Sequence, residues 1–223
     1  MGRTPLPGPL NYLARHPSAL LLLIQLLGVL LYPWMENTSF GRALFGAFGL
    51  VVLGATLRLV RRSAAQAWIG FLLAAVVLSL WALNLFATRW QLTLAIAILE
   101  GAFYLYAAGS LISYMMEDQR ATTDELFASG ATFTLLAWSF AFFYNACQIL
   151  IPGSFAALVE PEAARTWMEL LYLSFVTLSG VGIGDILPLN PMARALVMLE
   201  AFAGVMYIAL VVSRLIGLTI LRR

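Results

Sequence analysis

Residues 177–185 read Thr-Leu-Ser-Gly-Val-Gly-Ile-Gly-Asp, and these alternating glycines are the stretch best suited to chemistry. Gly180, Gly182 and Gly184 permit a backbone that residues with a Cβ resist, in which successive carbonyl oxygens turn toward one line. A row of carbonyls is a ligand set for a bare cation. Glycine-rich turns also cradle phosphates in soluble nucleotide-binding proteins, but there they sit between a strand and a helix. Here both flanks are apolar, which places the glycines at membrane depth. Non-helical backbone survives there only when it is buried in protein or lines an aqueous path, so the pattern implies an ion pathway. Two carboxylates, Glu100 and Glu200, also fall inside apolar stretches, and intramembrane acids are costly enough to be functional candidates. His16 and Cys147 are the only residues of their kinds, which argues against an intrachain disulfide framework and against a zinc or haem site. His16 reads as an interfacial residue.

The elements that must carry this stretch are apolar. The 223 residues are 62% hydrophobic and 11% charged, against roughly 45–50% and about 25% in soluble domains. An integral membrane protein is expected. The 13 basic residues are all Arg and the net charge is +2, too small and too scattered for a nucleic-acid surface. Residues 1–16, with Pro5, Pro7 and Pro9, form a cytoplasmic lead-in. The apolar run 17–34 is long enough to span and lacks a small-residue cleavage site, so it reads as a first span and not a signal peptide. Further spans are expected over 44–60, 64–86 and 91–116, with a tight external turn at Thr88-Arg89-Trp90. Residues 117–125 make a cytoplasmic linker in which Thr122 and Glu125 have the spacing of a capping box, and a fifth span comes next over 126–151. Thr166 and Glu169 repeat that spacing and open a helix over 167–178. This helix is too short for the roughly 30 Å hydrocarbon core; it enters, points its partially negative C-terminus inward, and hands over to the glycines. Pro188 and Pro191 lead into a last span over 192–221, about 45 Å long at ~1.5 Å per residue. Arg3, Arg15, Arg58, Arg61, Arg62, Arg214, Arg222 and Arg223 then all lie on the cytoplasmic side, as do both termini. The fold class expected is an all-α membrane protein of six transmembrane helices with a re-entrant helix between the fifth and sixth.

The glycine stretch resembles the selectivity filter of tetrameric potassium channels, usually Thr-x-Thr-Thr-Val-Gly-Tyr-Gly-Asp. Thr177, Ser179, Val181-Gly182 and Gly184-Asp185 match it; Ile183 replaces the Tyr and Gly180 replaces the third Thr. The resemblance covers residues 126–223 and implies a pore domain of outer helix, pore helix, filter and inner helix, behind a four-helix segment over 17–116 that carries no motif of its own. It implies ion-facing carbonyls from Gly180, Val181, Gly182 and Ile183. It also implies filter support from Tyr172, placed to bond Asp185 or simply to pack, and from Thr177, Ser179, Gly184 and Asp185. Val176 stands where the family often has Glu or Val. Glu200 is expected either to bond near Thr177 or Ser179 and steady the filter, or to be protonated and packed. Gly204 matches the hinge glycine of inner helices, with close packing through a small residue as the alternative. Ile208, Val212 and Ile216 recur every fourth residue and are expected to approach the axis as an apolar gate. Glu100 reads as a packing acid or a proton site.

One filter sequence cannot surround an ion, so three further copies of the chain are implied, together with membrane lipid and K+ as permeant ligand, and no cofactor or catalytic residue. The fourth span holds no Arg or Lys, whereas coupling to voltage needs gating charge. A non-voltage-sensing, six-span, prokaryotic-type member is expected, multi-pass in the plasma or inner membrane. With two residues after the last span, no cytoplasmic ligand-binding domain is expected. The function expected is passive K+ conduction by a homotetramer, not enzymatic. Because Gly180 lacks the hydroxyl of the usual Thr, a weakly selective monovalent cation channel is the near alternative. A non-conducting scaffold with a vestigial filter is the distant one.

Overall fold

The computed structural model describes residues 16–36, 51–52, 54–56, 67–87, 89–116 and 122–221. Helices α1 (Pro17–Glu36), α2 (Ala67–Phe86), α3 (Trp90–Met116) and α4 (Thr123–Leu150) lead to a short strand, β1 (Phe155–Ala157). Helix α5 (Trp167–Leu178) and strand β2 (Ile186–Pro188) bracket the glycine run. Helix α6 (Pro191–Tyr207), a π-helical turn (Ile208–Val212) and α7 (Ser213–Leu221) complete the chain's final segment. Four stretches, Trp68–Phe86, Trp90–Met116, Thr123–Leu150 and Pro191–Leu218, are long and apolar enough to cross a membrane, while Pro17–Tyr32 and Trp167–Leu178 are shorter apolar helices. Of the span expected over 44–60, only the helical residues 51–52 and 54–56 are described. The lead-in to residue 15, Arg58, Arg61, Arg62, linker residues 117–121, Arg222 and Arg223 lie outside the described residues.

Side chains fix the helix starts that position the glycine run. Thr122 accepts the Glu125 N–H at 3.2 Å while Glu125 accepts the Thr122 N–H at 3.0 Å, so the capping box read from the sequence opens α4. The Thr166/Glu169 pair does the same for α5, at 3.3 and 2.7 Å. Helix α6 starts at Asn190, whose Oδ1 accepts the Ala193 N–H at 2.8 Å, with Pro191 in the first turn where a missing N–H costs nothing.

Packing centres on α3 and α4. Phe103, Tyr104, Ala107, Ala108 and Leu111 of α3 lie against Ala128, Ala131, Leu135, Trp138 and Ala141 of α4, all buried. Lipid is as apolar as these side chains, so close contact holds the pair, and small residues permit it. A Cβ at Gly101 would sit 2.7 Å from the Phe143 ring, and the Ser139 hydroxyl donates to the Gly101 carbonyl at 2.7 Å. Helix α1 is tied to the start of α4, where Asp124 accepts the Ser18 N–H at 3.1 Å and its hydroxyl at 2.9 Å.

The antiparallel strand pair was not expected from the sequence. It sets Phe155 opposite Pro188, Ala156 opposite Leu187 and Ala157 opposite Ile186. Ser154 reinforces it: its carbonyl accepts the Leu189 N–H at 2.9 Å and its hydroxyl accepts from Asn190 Nδ2 at 2.6 Å. The ribbon thereby joins the end of α4 to the start of α6. Phe155 and Ile186 pack inward with Tyr144, Leu170 and Leu173, seating α5 between those helices.

Candidate ion-coordinating site

Helix α5 stops at Leu178 by a glycine-dependent turn. Gly180 has φ of +75°, the Val181 N–H reaches back to the Val176 carbonyl at 3.1 Å, and the Gly180 N–H reaches Thr177 at 3.0 Å. This pairing is a Schellman motif, with Gly180 in the left-handed position that favours a residue lacking Cβ. The Val176 carbonyl also accepts the Gly182 N–H at 3.2 Å and the Ser179 hydroxyl at 3.2 Å, so the first half of the glycine run is lashed to the last turn of α5. Gly182 and Gly184 likewise have positive φ, +58° and +80°. Among the described residues, the carbonyls of Gly180, Val181, Gly182 and Ile183 receive no backbone or side-chain donor. Val181 and Ile183 are 66% and 61% exposed in the single chain.

Beyond the glycines, the Asp185 carboxylate accepts the Ile186 N–H at 3.1 Å, and the Tyr172 hydroxyl lies within bonding reach of Asp185. Arg165, just ahead of the α5 cap, is buried and was not singled out in the sequence. Its guanidinium donates to Glu169 at 3.2 Å and to the carbonyls of Val159 and Ala163 at 3.3 and 3.1 Å. Its backbone is clamped by Gln148, whose Oε1 accepts the Arg165 N–H at 3.1 Å and whose Nε2 donates to the Arg165 carbonyl at 2.9 Å.

Glu200 is fully buried, and its partners differ from those expected. It is hydrogen-bonded to the hydroxyls of Ser174 and Tyr144, not to Thr177 or Ser179. Thr177, one turn further along α5, comes near the Tyr144 hydroxyl. The physical reason is register: Ser174 lies one turn up α5 from Thr177 and faces α4 and α6 together. Its single hydroxyl proton also faces the Ala137 carbonyl at 2.7 Å. One proton cannot serve both acceptors, and a proton carried by Glu200 supplies the second bond. The carboxyl group thus ties together α4, α5 and α6 behind the glycine run.

Gly204 faces the same junction. A Cβ there would lie 2.0 Å from the Leu178 carbonyl oxygen and 2.8 Å from its carbon, so backbone meets backbone where α5 ends. The irregular part of the inner segment comes four residues later, in the π-helical turn Ile208–Val212. A π turn holds one residue more than an α turn, which rotates the residues beyond it by roughly 100° per inserted residue. Ile208 and Ile216 are accordingly exposed, whereas Val212 packs partly into the core beside buried Val211 and Leu215. The every-fourth-residue stripe expected for these three is broken at its middle member. Glu100 lies on α3, away from this junction, and accepts from Trp81 Nε1 at 3.2 Å.

These features define a class: a helical membrane protein in which a short helix, rigidly set between two long ones, presents unpaired backbone carbonyls through a glycine turn. The chain belongs to the ion channel family, whose model, described as "Ion channel", matches residues 100–220, more than half of the sequence. The match begins at Glu100 within α3, earlier than the pore-module resemblance over 126–223. No curated protein matches the chain, and no solved structure does. As a member of that family, the chain is a multi-pass membrane protein that transports ions.

Proposed function

We propose that the chain is a potassium channel working as a homotetramer, with α4, α5, the glycine run and α6–α7 of each copy forming a quarter of one pore. The observation that carries this reading is the set of four consecutive carbonyls, from Gly180 to Ile183, that no donor among the described residues uses. Three residues of positive φ lie in the same run. A permeating cation sheds water, and backbone oxygens in its path replace that water. One chain offers a single row of them. Cyclic association of four copies would supply a ring at each level and would cover Val181 and Ile183.

On this reading α5 is re-entrant. At ~1.5 Å per residue it is about 18 Å long, and its C-terminal partial negative charge favours a cation at the centre of the membrane. Six spans with cytoplasmic termini in the plasma or inner membrane follow from the Arg distribution. The pore domain spans 126–223 and the preceding helices form a segment without gating charge. Gly184, Asp185 and Tyr172 hold the outer end, Ser179 and Thr177 the inner end, and Glu200 acts behind the filter through Ser174 and Tyr144. Ile208 and Ile216 remain the apolar candidates for a cytoplasmic constriction.

Purified protein in liposomes loaded with K+ should release it when an ionophore dissipates the counter-charge. Absence of protein-dependent K+ flux would contradict the proposal and favour a non-conducting scaffold. A second reading, weak selectivity among monovalent cations, is favoured by Gly180 itself. Its left-handed φ would strain a β-branched Thr, and without the Thr the innermost ring has four fewer hydroxyls. If so, a Gly180→Thr variant that assembles should raise the K+ to Na+ permeability ratio. An unchanged ratio would remove support for that reading.

A further inference from the structure

Away from the glycine run, α2, α3 and the last turns of α4 line a half-open cavity of 340 Å³. Glu100, Trp81, Asn84 and Asn145 line it with polar atoms, and Ile96 and Ala97 contribute apolar wall. Glu100 is only 9% exposed. A carboxyl group at that depth is costly unless something compensates it, yet its hydrogen bond among the described residues is the one from Trp81, and no Arg or His among them forms an ion pair with it. The channel reading gives it no task. We propose that this cavity binds a small alkylammonium cation, with Glu100 opposing the charge, the Trp81 indole beside it, and the alkyl chain along Ile96 and Ala97.

Three observations narrow the ligand to that class. A carboxyl group that ionises against an ammonium head pairs with it by full charge, and the Trp81 indole N–H, which donates to Glu100 at 3.2 Å, holds that carboxyl in place. A bare divalent metal would need several more oxygens; no group of three His, Cys, Asp or Glu side chains converges among the described residues, and the Asn145 Oδ1 already accepts from Gln148 Nε2 at 3.1 Å. Volume favours a small ligand. At 340 Å³ the cavity is at the small end of organic-ligand sites, roughly 300–1,000 Å³, so it suits a short amine and not a whole phospholipid.

The probe is n-hexylammonium chloride, titrated calorimetrically into the detergent-purified chain at neutral pH, with 1-hexanol as the uncharged counterpart. Saturable binding to the wild type is expected. Glu100→Gln should weaken hexylammonium binding at least tenfold while leaving hexanol unchanged, which separates the site from partition into detergent. Trp81→Leu should also weaken the amine, and this second variant keeps the test open should Glu100→Gln not fold. No saturable binding to the wild type, or equal binding to wild type and both variants, would overturn the proposal. The measurement needs no ion gradient, so its failure and the failure of the potassium-channel reading are told apart.

Discussion

At the scale of single residues, Gly180 and Glu200 carry the account. Gly180 reads in the sequence as a missing hydroxyl; in the structure it is also the residue that ends α5, since φ of +75° is open to glycine and costs other residues about 1–2 kcal/mol. Gly180→Ala should therefore lower the unfolding midpoint of the purified protein by an amount corresponding to about 1–2 kcal/mol, and no change would show that the turn adapts freely. The signal for this was present, because glycine just past a helix is a known terminator, but the family pattern drew attention to the side chain that is absent. Glu200 shows the opposite case. Its intramembrane position was legible, while its partners Ser174 and Tyr144 were not, since they lie 26 and 56 positions away and only the packing of three helices brings them together. Because a neutral carboxyl satisfies the cluster, Glu200→Gln should fold and conduct much as the wild type does. Glu200→Ala takes the partner from the buried Tyr144 hydroxyl, at about 1–3 kcal/mol, while Ser174 keeps the Ala137 carbonyl, and should be visibly less stable by thermal melting. Glutamine proving as damaging as alanine would point to an ionised carboxylate and contradict the cluster as described.

At the scale of elements, helix starts were readable, and irregular backbone outside the glycine run was not. The two capping boxes are local, four-residue signals, and they set the starts of α4 and α5 where expected. The strand pair has three residues on each side, too few for alternation to show, and depends on Ser154 and Asn190 meeting across the fold. The π turn depends on how α6 and α7 lie on the core, which no local pattern encodes, so the expected Ile208, Val212, Ile216 stripe could not survive it. Two outcomes belong to this scale. Gly204→Ala would push a methyl group into the Leu178 carbonyl, which cannot move without displacing the glycine run; a loss of at least about 1–3 kcal/mol is expected, and an unaltered melting temperature would contradict the contact. Gln148→Ala releases the Arg165 backbone ahead of α5, so hydrogen exchange over 166–170 should quicken. Unchanged protection there would mean the Thr166 cap suffices alone.

At the scale of the whole molecule, composition alone pointed to a membrane protein, and the family match over residues 100–220 makes it an ion channel. On the proposed reading, four copies assemble so that exposed Val181 and Ile183 and the carbonyls of each glycine run meet around a shared axis. Native mass spectrometry of the detergent-purified particle should give four chains; a monomer or dimer that still conducts would contradict a shared filter. The most direct test of the central claim is the reversal potential of the reconstituted protein between K+ on one side and Na+ on the other. The account expects a reversal close to the K+ equilibrium potential, whereas a reversal near zero, or no current at all, would contradict a potassium-selective carbonyl filter.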